Sequence, residues 1–274
     1  MSDAHTLLAA EAVTAGYRGL PKVLVDASMT VTSGGRLALM GANGSGKTTL
    51  LRVLSGAHEP AAGRVSYRGE KLKHRPGSLT THRQRVQLVL QDPDDQLFSA
   101  DVRADVSFGP LNLGLSDAEA LARVDEALAL LEIVDLADRP VHQLSYGQRK
   151  RVAIAGAVAM RPEVLLLDEP TAGLDPVAVK QLLNTWGRLQ AAGTTVVVAT
   201  HDVDLAWQWA DQVAVVHDAS VWQGPTAEIL TDQNLLAAAR LDVPWQVQIL
   251  QQAGVEIPSD NPPRTAVEIA RLLR

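Results

Sequence analysis

The hydrophobic and polar positions of this chain follow two different periods, and this predicts a mixture of strands and helices. Short apolar runs over residues 36–40 and 164–167 have the length and composition of buried strands. The runs over 7–13 and 22–31 predict paired strands near the N-terminus, with a turn around Gly16–Gly19. Further strands are predicted over 63–67, 85–90, 195–199 and 213–217, the last of these being the final strand of the chain.

Helical periodicity occupies most of the remaining chain. Ser116 and Glu119 form the pattern of a capping box at the start of a helix. Its predicted apolar face consists of Leu121, Val124, Leu128 and Leu131. Other helices are predicted over 48–54, 146–160, 177–190, 227–230, 234–239 and 265–273.

The order of these elements predicts the fold class and the domain boundaries. Strands that alternate with helices indicate an α/β protein with a largely parallel sheet, preceded by an antiparallel β region near the N-terminus. Residues of about 92–160 interrupt this alternation and predict an inserted helical subdomain. We therefore expect one main domain over 1–224 and a small accessory C-terminal segment over 225–274.

Length, charge and composition narrow the possible functions. The 274 residues are 46% hydrophobic, which is enough for one large domain with a full core. A formal net charge of −6 argues against nucleic acid as a partner, because proteins that bind nucleic acids need a basic surface. The chain has no cysteine, so disulfides and cysteine-bound zinc are excluded. Residues 1–15 do not resemble a signal peptide, and no apolar run is long enough to span a membrane, so a soluble chain is expected.

One glycine-rich stretch has the composition of a phosphate-binding loop. It matches the pattern G-x-x-x-x-G-K-[ST] between a predicted strand and a predicted helix, and it consists of Gly41, Ala42, Asn43, Gly44, Ser45, Gly46, Lys47 and Thr48. Glycines let backbone N–H groups approach the phosphate oxygens, and the helix N-terminus favours an anion. Lys47 supplies positive charge for the β- and γ-phosphates, and the Thr48 hydroxyl can coordinate Mg²⁺.

A second acidic motif follows the apolar strand at 164–167. Asp168 and Glu169 end this strand, at the edge where open α/β sheets bind their ligands. Asp168 can hold Mg²⁺ directly or through water, and Glu169 can act as general base toward an attacking water.

Five further motifs in the expected order identify a resemblance to the ABC (ATP-binding cassette) ATPases, which covers roughly residues 7–224. Leu144–Gln148 (LSYGQ) resembles the family's signature, Gln91 its Q-loop glutamine, Asp175 its D-loop aspartate, His201 its switch histidine and Tyr17 the aromatic residue that stacks on adenine. The resemblance implies a P-loop NTPase (RecA-like) core that binds and hydrolyses ATP with Mg²⁺.

Roles for individual residues follow from this resemblance. The implied catalytic residues are Glu169, His201 and Lys47. The implied nucleotide contacts are Tyr17, the loop from Gly41 to Thr48, Thr49, Gln91, Ser145, Gly147, Gln148 and Asp175. The implied Mg²⁺ ligands are Thr48, Gln91 and Asp168. Because Ser145 and Gly147 of one copy close on the nucleotide of another in this family, a head-to-tail dimer is implied, formed with a second copy or with a paired paralogue. Tyr146 stands where the usual signature has its first glycine, which leaves the geometry of that turn open.

A narrower resemblance lies in the segments 91–98, 105–110 and 149–156. They are similar to the ATPases of energy-coupling factor (ECF) importers, most of all to the cobalt-transport ATPase subunit. This resemblance implies two membrane partners, a coupling subunit and a substrate-binding subunit, and a peripheral position on the cytoplasmic face of the membrane. The alternatives are an ECF importer of a vitamin and a soluble ABC ATPase without a transport role.

Several aromatic and histidine residues are open to more than one interpretation. The histidines other than His201 show no metal-ligand spacing, so ordinary solvated or packed side chains are expected. Trp207 and Trp209 lie two positions apart on a predicted helix, so one is expected to be buried and the other partly exposed. Phe98 and Phe108 either pack inside the helical subdomain or dock a helix of the membrane partner.

Overall fold

The computed structural model describes residues 6–258 and 261–273, and it divides into two compact units. The first unit contains the described residues of the ranges 1–74 and 197–274, and the second contains residues 75–196. Residues 1–5, which include His5 and begin the N-terminal stretch 1–15, lie outside the described residues.

The first unit begins with an antiparallel sheet and continues into the start of a second sheet. Its first elements are β1 (Thr6–Tyr17), β2 (Leu20–Thr32), β3 (Arg36–Met40), α1 (Lys47–Leu54), β4 (Ala62–Tyr67) and β5 (Glu70–Lys71). The antiparallel sheet has the order β2-β1-β4-β5 and confirms the predicted antiparallel region. Leu8, Ala10 and Val13 of β1 are buried, so this sheet contributes to the core of the unit.

The second unit contains most of the helical part of the chain. Its elements are α2 (Pro76–Arg85), β6 (Val86–Val89), α3 (Val102–Asn112), α4 (Asp117–Leu130), α5 (Tyr146–Ala159), β7 (Val164–Asp168) and α6 (Pro176–Ala191). Short 3-10 turns occupy Pro93–Asp95, Val134–Leu136 and Val141–Gln143. The strand β8 (Thr195–Ala199) crosses the boundary between the units, and within the second unit the strand order is β8-β7-β6. The strands β6 and β7 are parallel, with Val86 beside Val164 and Val89 beside Leu167.

Helix α4 confirms one local prediction and corrects another. Ser116 caps the helix, and its backbone N–H in turn donates to Glu119, as in a capping box. Val124 and Leu128 are buried as predicted, but Leu121 is 44% exposed and the neighbouring Ala120 is buried instead. The buried face therefore differs from the predicted one at its first position only, because the packing of α3 and α5 selects the residues that are covered.

The remaining elements return to the first unit. They are α7 (Val203–Trp209), β9 (Gln212–His217), β10 (Ser220–Pro225), α8 (Thr226–Thr231), α9 (Gln233–Ala238), α10 (Trp245–Gln252) and α11 (Ala266–Leu272). Within this unit the second sheet has the order β10-β9-β3-β8, with β3 and β9 parallel. The prediction that β9 is the last strand is wrong, since β10 follows it. Asp218 and Ala219 both have positive φ angles and form the tight hairpin turn that joins the two strands.

The C-terminal segment packs on helix α7 in the first unit. The Trp207 indole N–H donates to the Pro263 carbonyl at 2.8 Å, and the Trp245 backbone N–H donates to Asp204 at 3.0 Å. Both Trp207 and Trp209 are buried, so the prediction of one partly exposed tryptophan is wrong. Spacing along a helix cannot show that Pro263, 56 positions after Trp207, contacts the outer face of α7.

Among the described residues, no helix has the length and hydrophobicity needed to cross a membrane.

Candidate functional site

The glycine-rich loop of the first unit connects the buried strand β3 to helix α1 in a tight turn. The Lys47 ammonium folds back over the loop and donates to the Gly41 carbonyl at 2.8 Å. Gly41 has a φ of 145°, and a Cβ there would lie 2.5 Å from the Val216 carbonyl oxygen and 2.6 Å from Ser45 Oγ. Only glycine fits this position, because both the backbone angle and the space exclude a side chain.

The start of α1 provides groups suited to a phosphate. Gly46 is the N-cap residue, and no side chain caps the helix, so the first-turn amides are directed at the loop. Ser45 Oγ is buried without a hydrogen-bond partner, although a buried hydroxyl normally has one. Together these donors fit the anionic oxygens of a nucleotide, and the Thr48 hydroxyl is a hard oxygen ligand of the kind that Mg²⁺ prefers.

Tyr17 lies beside this loop and is held there by helix α1. The Thr49 hydroxyl donates to Tyr17 Oη at 3.3 Å, which links the aromatic ring to the helix of the phosphate loop. The ring of His58 lies 5.0 Å from the Tyr17 ring, centroid to centroid. Sequence reasoning assigned His58 no role beyond ordinary packing, because nothing in its spacing connects it with a residue 41 positions earlier.

His201 follows the C-terminal end of β8, within the same unit. The Thr200 backbone N–H donates to the Leu39 carbonyl at 2.9 Å, so the end of β8 lies beside the end of β3. Asp202 caps helix α7 immediately after His201. The first unit therefore brings the histidine and the phosphate loop to the ends of neighbouring strands, at one edge of the sheet.

The paired carboxylates of the second unit end strand β7, as predicted. Asp168 and Glu169 are both buried, and Glu169 has a φ of 44°, which is unusual for a residue with a side chain. Such a conformation costs about 1–3 kcal/mol and occurs where the surroundings hold the backbone in place.

A buried lysine that the sequence did not single out holds this turn. Lys150 Nζ donates to the carbonyls of Glu169 at 2.7 Å and Ala172 at 2.8 Å. Burial lowers the pKa of Lys150 to about 8, although the charges of Glu169, Asp92 and Asp168 oppose this shift.

Gln91 begins an exposed segment directly after β6. Its carbonyl accepts a hydrogen bond from Tyr146 Oη at 3.4 Å, so the segment contacts the start of α5. The Gln96 side chain binds back to the strand, accepting from Leu90 N at 2.7 Å and donating to the Leu88 carbonyl at 3.2 Å. An ion pair of 2.8 Å joins Asp94 to Arg149 of α5.

The signature-like residues form the N-terminus of helix α5. Ser145 is the N-cap residue, and it forms a capping box with Gln148. Gly147 lies against Leu174, since a Cβ there would be 3.1 Å from Leu174 Cδ2. Tyr146, which replaces the first signature glycine, occupies the first helical position after the cap. The turn therefore has the geometry of a regular helix start.

The predicted D-loop residue caps the next helix. Asp175 accepts hydrogen bonds from the backbone N–H groups of Val177 and Ala178, both at 2.9 Å, at the start of α6. The second unit thus contains seven of the predicted site residues, on or next to α5, β6, β7 and α6: Gln91, Ser145, Gly147, Gln148, Asp168, Glu169 and Asp175.

A phosphate loop between a buried strand and a helix, together with a strand ending in two carboxylates, defines a P-loop ATPase. The sequence pattern of the ABC transporter family matches residues 24–172. The chain belongs to this family, and it is an ATP-hydrolysing subunit of ABC transporter type.

Similar proteins agree with this assignment. A putative ABC transporter ATP-binding protein of Streptomyces coelicolor is 54% identical over 98% of this chain and 96% of its own length. The cobalt import ATP-binding protein CbiO of Rhodobacter capsulatus is 55% identical over 89% of this chain and 87% of its own. The structure of CbiO1 from Clostridium perfringens, described as part of the ABC transporter complex CbiONQ, superimposes with a TM-score of 0.77 and 36% identity, covering 90% and 99% of the two chains.

Proposed function

We propose that this chain is the ATP-hydrolysing motor of an ECF-type importer that takes up a transition-metal cation, with cobalt as the cargo. The observation that carries this proposal is the likeness to the cobalt import ATP-binding protein, which extends over most of both chains. The likeness to a cassette described as part of a CbiONQ complex supports the same class of assembly.

ATP binding is assigned to the loop from Gly41 to Thr48 together with Tyr17. The adenine stacks on the Tyr17 ring. The phosphates replace the Gly41 carbonyl as the acceptor for the Lys47 ammonium. Thr48, Gln91 and Asp168 offer a hydroxyl, an amide oxygen and a carboxylate, a hard oxygen set that suits Mg²⁺. When bound, this ion neutralises charge on the β- and γ-phosphate oxygens.

Hydrolysis is assigned to Glu169, His201 and Lys47. The Glu169 carboxylate accepts a proton from the attacking water. The water oxygen forms a bond to the γ-phosphorus while the bond between this phosphorus and ADP breaks. His201 and Lys47 stabilise the negative charge of the transferring phosphoryl group. The buried position of Glu169 supports this role, because a base shielded from bulk solvent acts on one ordered water.

We assign the closing of the site to a second copy in a head-to-tail dimer. Ser145, Gly147, Gln148 and Asp175 of one copy then face the nucleotide of the other. Since this chain carries both halves of the motif set, two identical copies complete two sites, although a paired paralogue is the alternative. The C-terminal segment adds dimer contacts, a role supported by the exposed apolar Trp245 and Ile249, which lie one turn apart on α10.

Coupling to the membrane is assigned to the helical part of the second unit. Phe98 is 65% exposed and Phe108 is 50% exposed, and their rings meet edge to face at 4.7 Å. The Phe98 backbone N–H donates to the Asp105 carboxylate at 3.0 Å, which ties the backbone at the exposed ring to α3. Packing inside the subdomain explains the contact between the two rings but not their exposure.

A groove beside these rings can receive apolar side chains from one face of an amphipathic helix. It has a volume of about 280 Å³ and lies between α3 and α5. Gly109 belongs to its wall, where a Cβ would lie 2.5 Å from Met160 Sδ, so α3 passes close to the Met160 side chain at the end of α5. The occupant we propose is a helix from the coupling subunit, with the chain bound at the cytoplasmic face of the membrane.

Two other functions compete with this proposal. A vitamin ECF importer uses the same kind of motor, and the cargo is chosen by another subunit. A soluble ABC ATPase without a transport role needs no exposed aromatic groove, and the Phe98–Phe108 pair disfavours it.

The test is to purify the full chain from its native membrane with its associated subunits and to measure uptake of radioactive cobalt into vesicles. Wild-type complex should take up cobalt with ATP, whereas Glu169→Gln should bind ATP, stop turnover and transport nothing. Uptake of a vitamin in place of cobalt would support the first competitor, and recovery without any membrane subunit would support the second. Normal turnover in Glu169→Gln would remove this residue from the role of base.

A further inference from the structure

We propose that Lys150 is a positioning residue for ATP hydrolysis, holding the backbone of Glu169 and tying it to the start of helix α5. The inference rests on the proposed role of Glu169 as general base. Lys150 belongs to the segment 149–156 of the narrower resemblance but to none of the motifs that assign the site, and its Nζ hydrogen-bonds to two backbone carbonyls.

The first argument is the location of the ammonium group. Lys150 is only 2% exposed, and its Nζ donates to two backbone carbonyls, those of Glu169 and Ala172. A buried lysine is a poor means of stabilising a fold, because removing its charge from water is costly and an apolar side chain of similar volume fills the same space. A requirement for its hydrogen bonds therefore explains its presence better than packing does.

The second argument is the shape of the turn that Lys150 binds. The Ala172 backbone N–H donates to the Glu169 carbonyl at 3.2 Å, so residues 169–172 form a closed turn. Lys150 binds the carbonyls at both ends of this turn. Glu169 is held at a positive φ in the turn, and a residue with a side chain keeps that conformation only where its surroundings fix it. Lys150 supplies such a restraint by donating to the Glu169 carbonyl.

The third argument is the connection to the signature-like residues. Tyr146 lies one helical turn before Lys150 on α5, and its ring centre is 5.4 Å from Lys150 Nζ. The same ring lies over Gly173, where a Cβ would be 3.1 Å from Tyr146 Cε1. Gly173 has a φ of 76° and continues the turn that contains Glu169. The first turn of α5, which carries Ser145 and Gly147, is thus bound to the catalytic turn through two adjacent side chains.

The consequence is a physical link between two steps of the proposed cycle. Ser145 and Gly147 engage the nucleotide of the second copy, and Lys150 lies one helical turn further along the same rigid helix. A shift of α5 on dimer closure therefore moves the Lys150 ammonium and the backbone of Glu169 together. This places the base correctly only when the signature residues are engaged, so nucleotide binding by itself does not depend on Lys150.

The test compares kinetic constants of the full-length chain carrying Lys150→Met, which keeps the length of the side chain and removes its donors. We expect kcat for ATP to fall at least tenfold while KM and the Kd for ATP change less than threefold. Lys150→Arg keeps the charge and the donors and should recover a large part of kcat. Lys180→Met, which removes an exposed lysine on α6 of the same unit, is the matched control and should leave both constants unchanged.

The outcomes are distinguishable from a failure of the proposed function because Glu169→Gln is measured in parallel. If Glu169→Gln loses turnover while folded Lys150→Met keeps the wild-type kcat, the positioning role of Lys150 is overturned and the role of Glu169 as base stands. Retained turnover in Glu169→Gln overturns the assignment of the base. If Lys150→Met does not fold, Lys150→Gln, which keeps an amide donor, replaces it. Parallel loss of ATP affinity and thermal stability in these variants would show a purely structural lysine and overturn the proposal.

Discussion

A methyl group at Gly41 is the sharpest test of the phosphate loop. In Gly41→Ala the new Cβ would lie 2.5 Å from the Val216 carbonyl oxygen and 2.6 Å from Ser45 Oγ. Carbon and oxygen normally approach no closer than about 3.3 Å, so these atoms must separate by roughly 0.8 Å. The φ of 145° is also one that alanine rarely adopts.

The expected magnitude follows from where the strain is released. Holding a non-glycine residue in such a conformation costs about 1–3 kcal/mol. Strand β3 and strand β9 are paired and buried, so the loop moves more easily than the sheet. If the loop shifts and its N–H groups no longer point at the phosphates, the strain energy of Gly41→Ala appears as weaker ATP binding. A loss of about 1–3 kcal/mol corresponds to a Kd raised about 5- to 150-fold.

The assay is a titration of each variant with ATP by isothermal calorimetry, combined with urea unfolding. Gly34→Ala is the matched control, since Gly34 has a φ of 71° but no atom within 4 Å of an added Cβ, and it lies outside the loop. It should lower the free energy of unfolding by about 1–2 kcal/mol and leave the Kd for ATP unchanged. An unchanged Kd in Gly41→Ala would refute the assignment of steric closeness as the reason for this glycine.

Three further predictions concern coupling, capping and pH. Phe98→Ala should abolish ATP-driven uptake in the complex while the ATPase rate of the isolated chain stays normal. The control Val134→Ala, which trims another exposed apolar side chain, should change neither rate. A normal uptake rate in Phe98→Ala would contradict the docking role of Phe98. Ser116→Ala should lower the free energy of unfolding by about 1 kcal/mol in urea, since it removes the cap of α4, and an unchanged midpoint would contradict this. Asp211 has a pKa below its ordinary 3.8 because Arg36 binds it, although burial opposes the shift. Ionised Asp211 therefore stabilises the folded state fully above pH 3.8, and this contribution is lost as the pH falls through the lower pKa of the folded state. The difference in free energy of unfolding between the wild type and Asp211→Asn should vanish over the same range in acid unfolding curves.

Local patterns predicted much of the fold because their physical cause lies within a few residues. Strand β3 and the phosphate loop depend on an apolar run followed by glycines, and both are where the sequence placed them. The same holds for the capping box at Ser116, where the cap and its partner are three positions apart. Helix α3 was not predicted, since Gly109 and Pro110 within it are poor helix formers and its packing on α5 compensates.

Residues whose neighbours are distant in the sequence were predicted less well. Leu121 has the right spacing for the buried face of α4, yet the helices packed on α4 cover Ala120 instead. One of Trp207 and Trp209 was expected to be partly exposed, yet both are buried, and Trp207 donates to Pro263 of the C-terminal segment. In both cases the position on the helix was known, but the element that covers it was not.

The sequence alone therefore determined the class of chemistry, since a loop of eight residues and a strand ending in two acids contain in themselves the groups that bind phosphate and Mg²⁺. Tertiary structure decided how those groups are held. Lys150 is 19 positions from Glu169 and His58 is 41 positions from Tyr17, and no periodicity connects such pairs. They meet because burying the apolar faces of the helices and strands leaves few arrangements of the chain, and those arrangements bring distant polar side chains into contact.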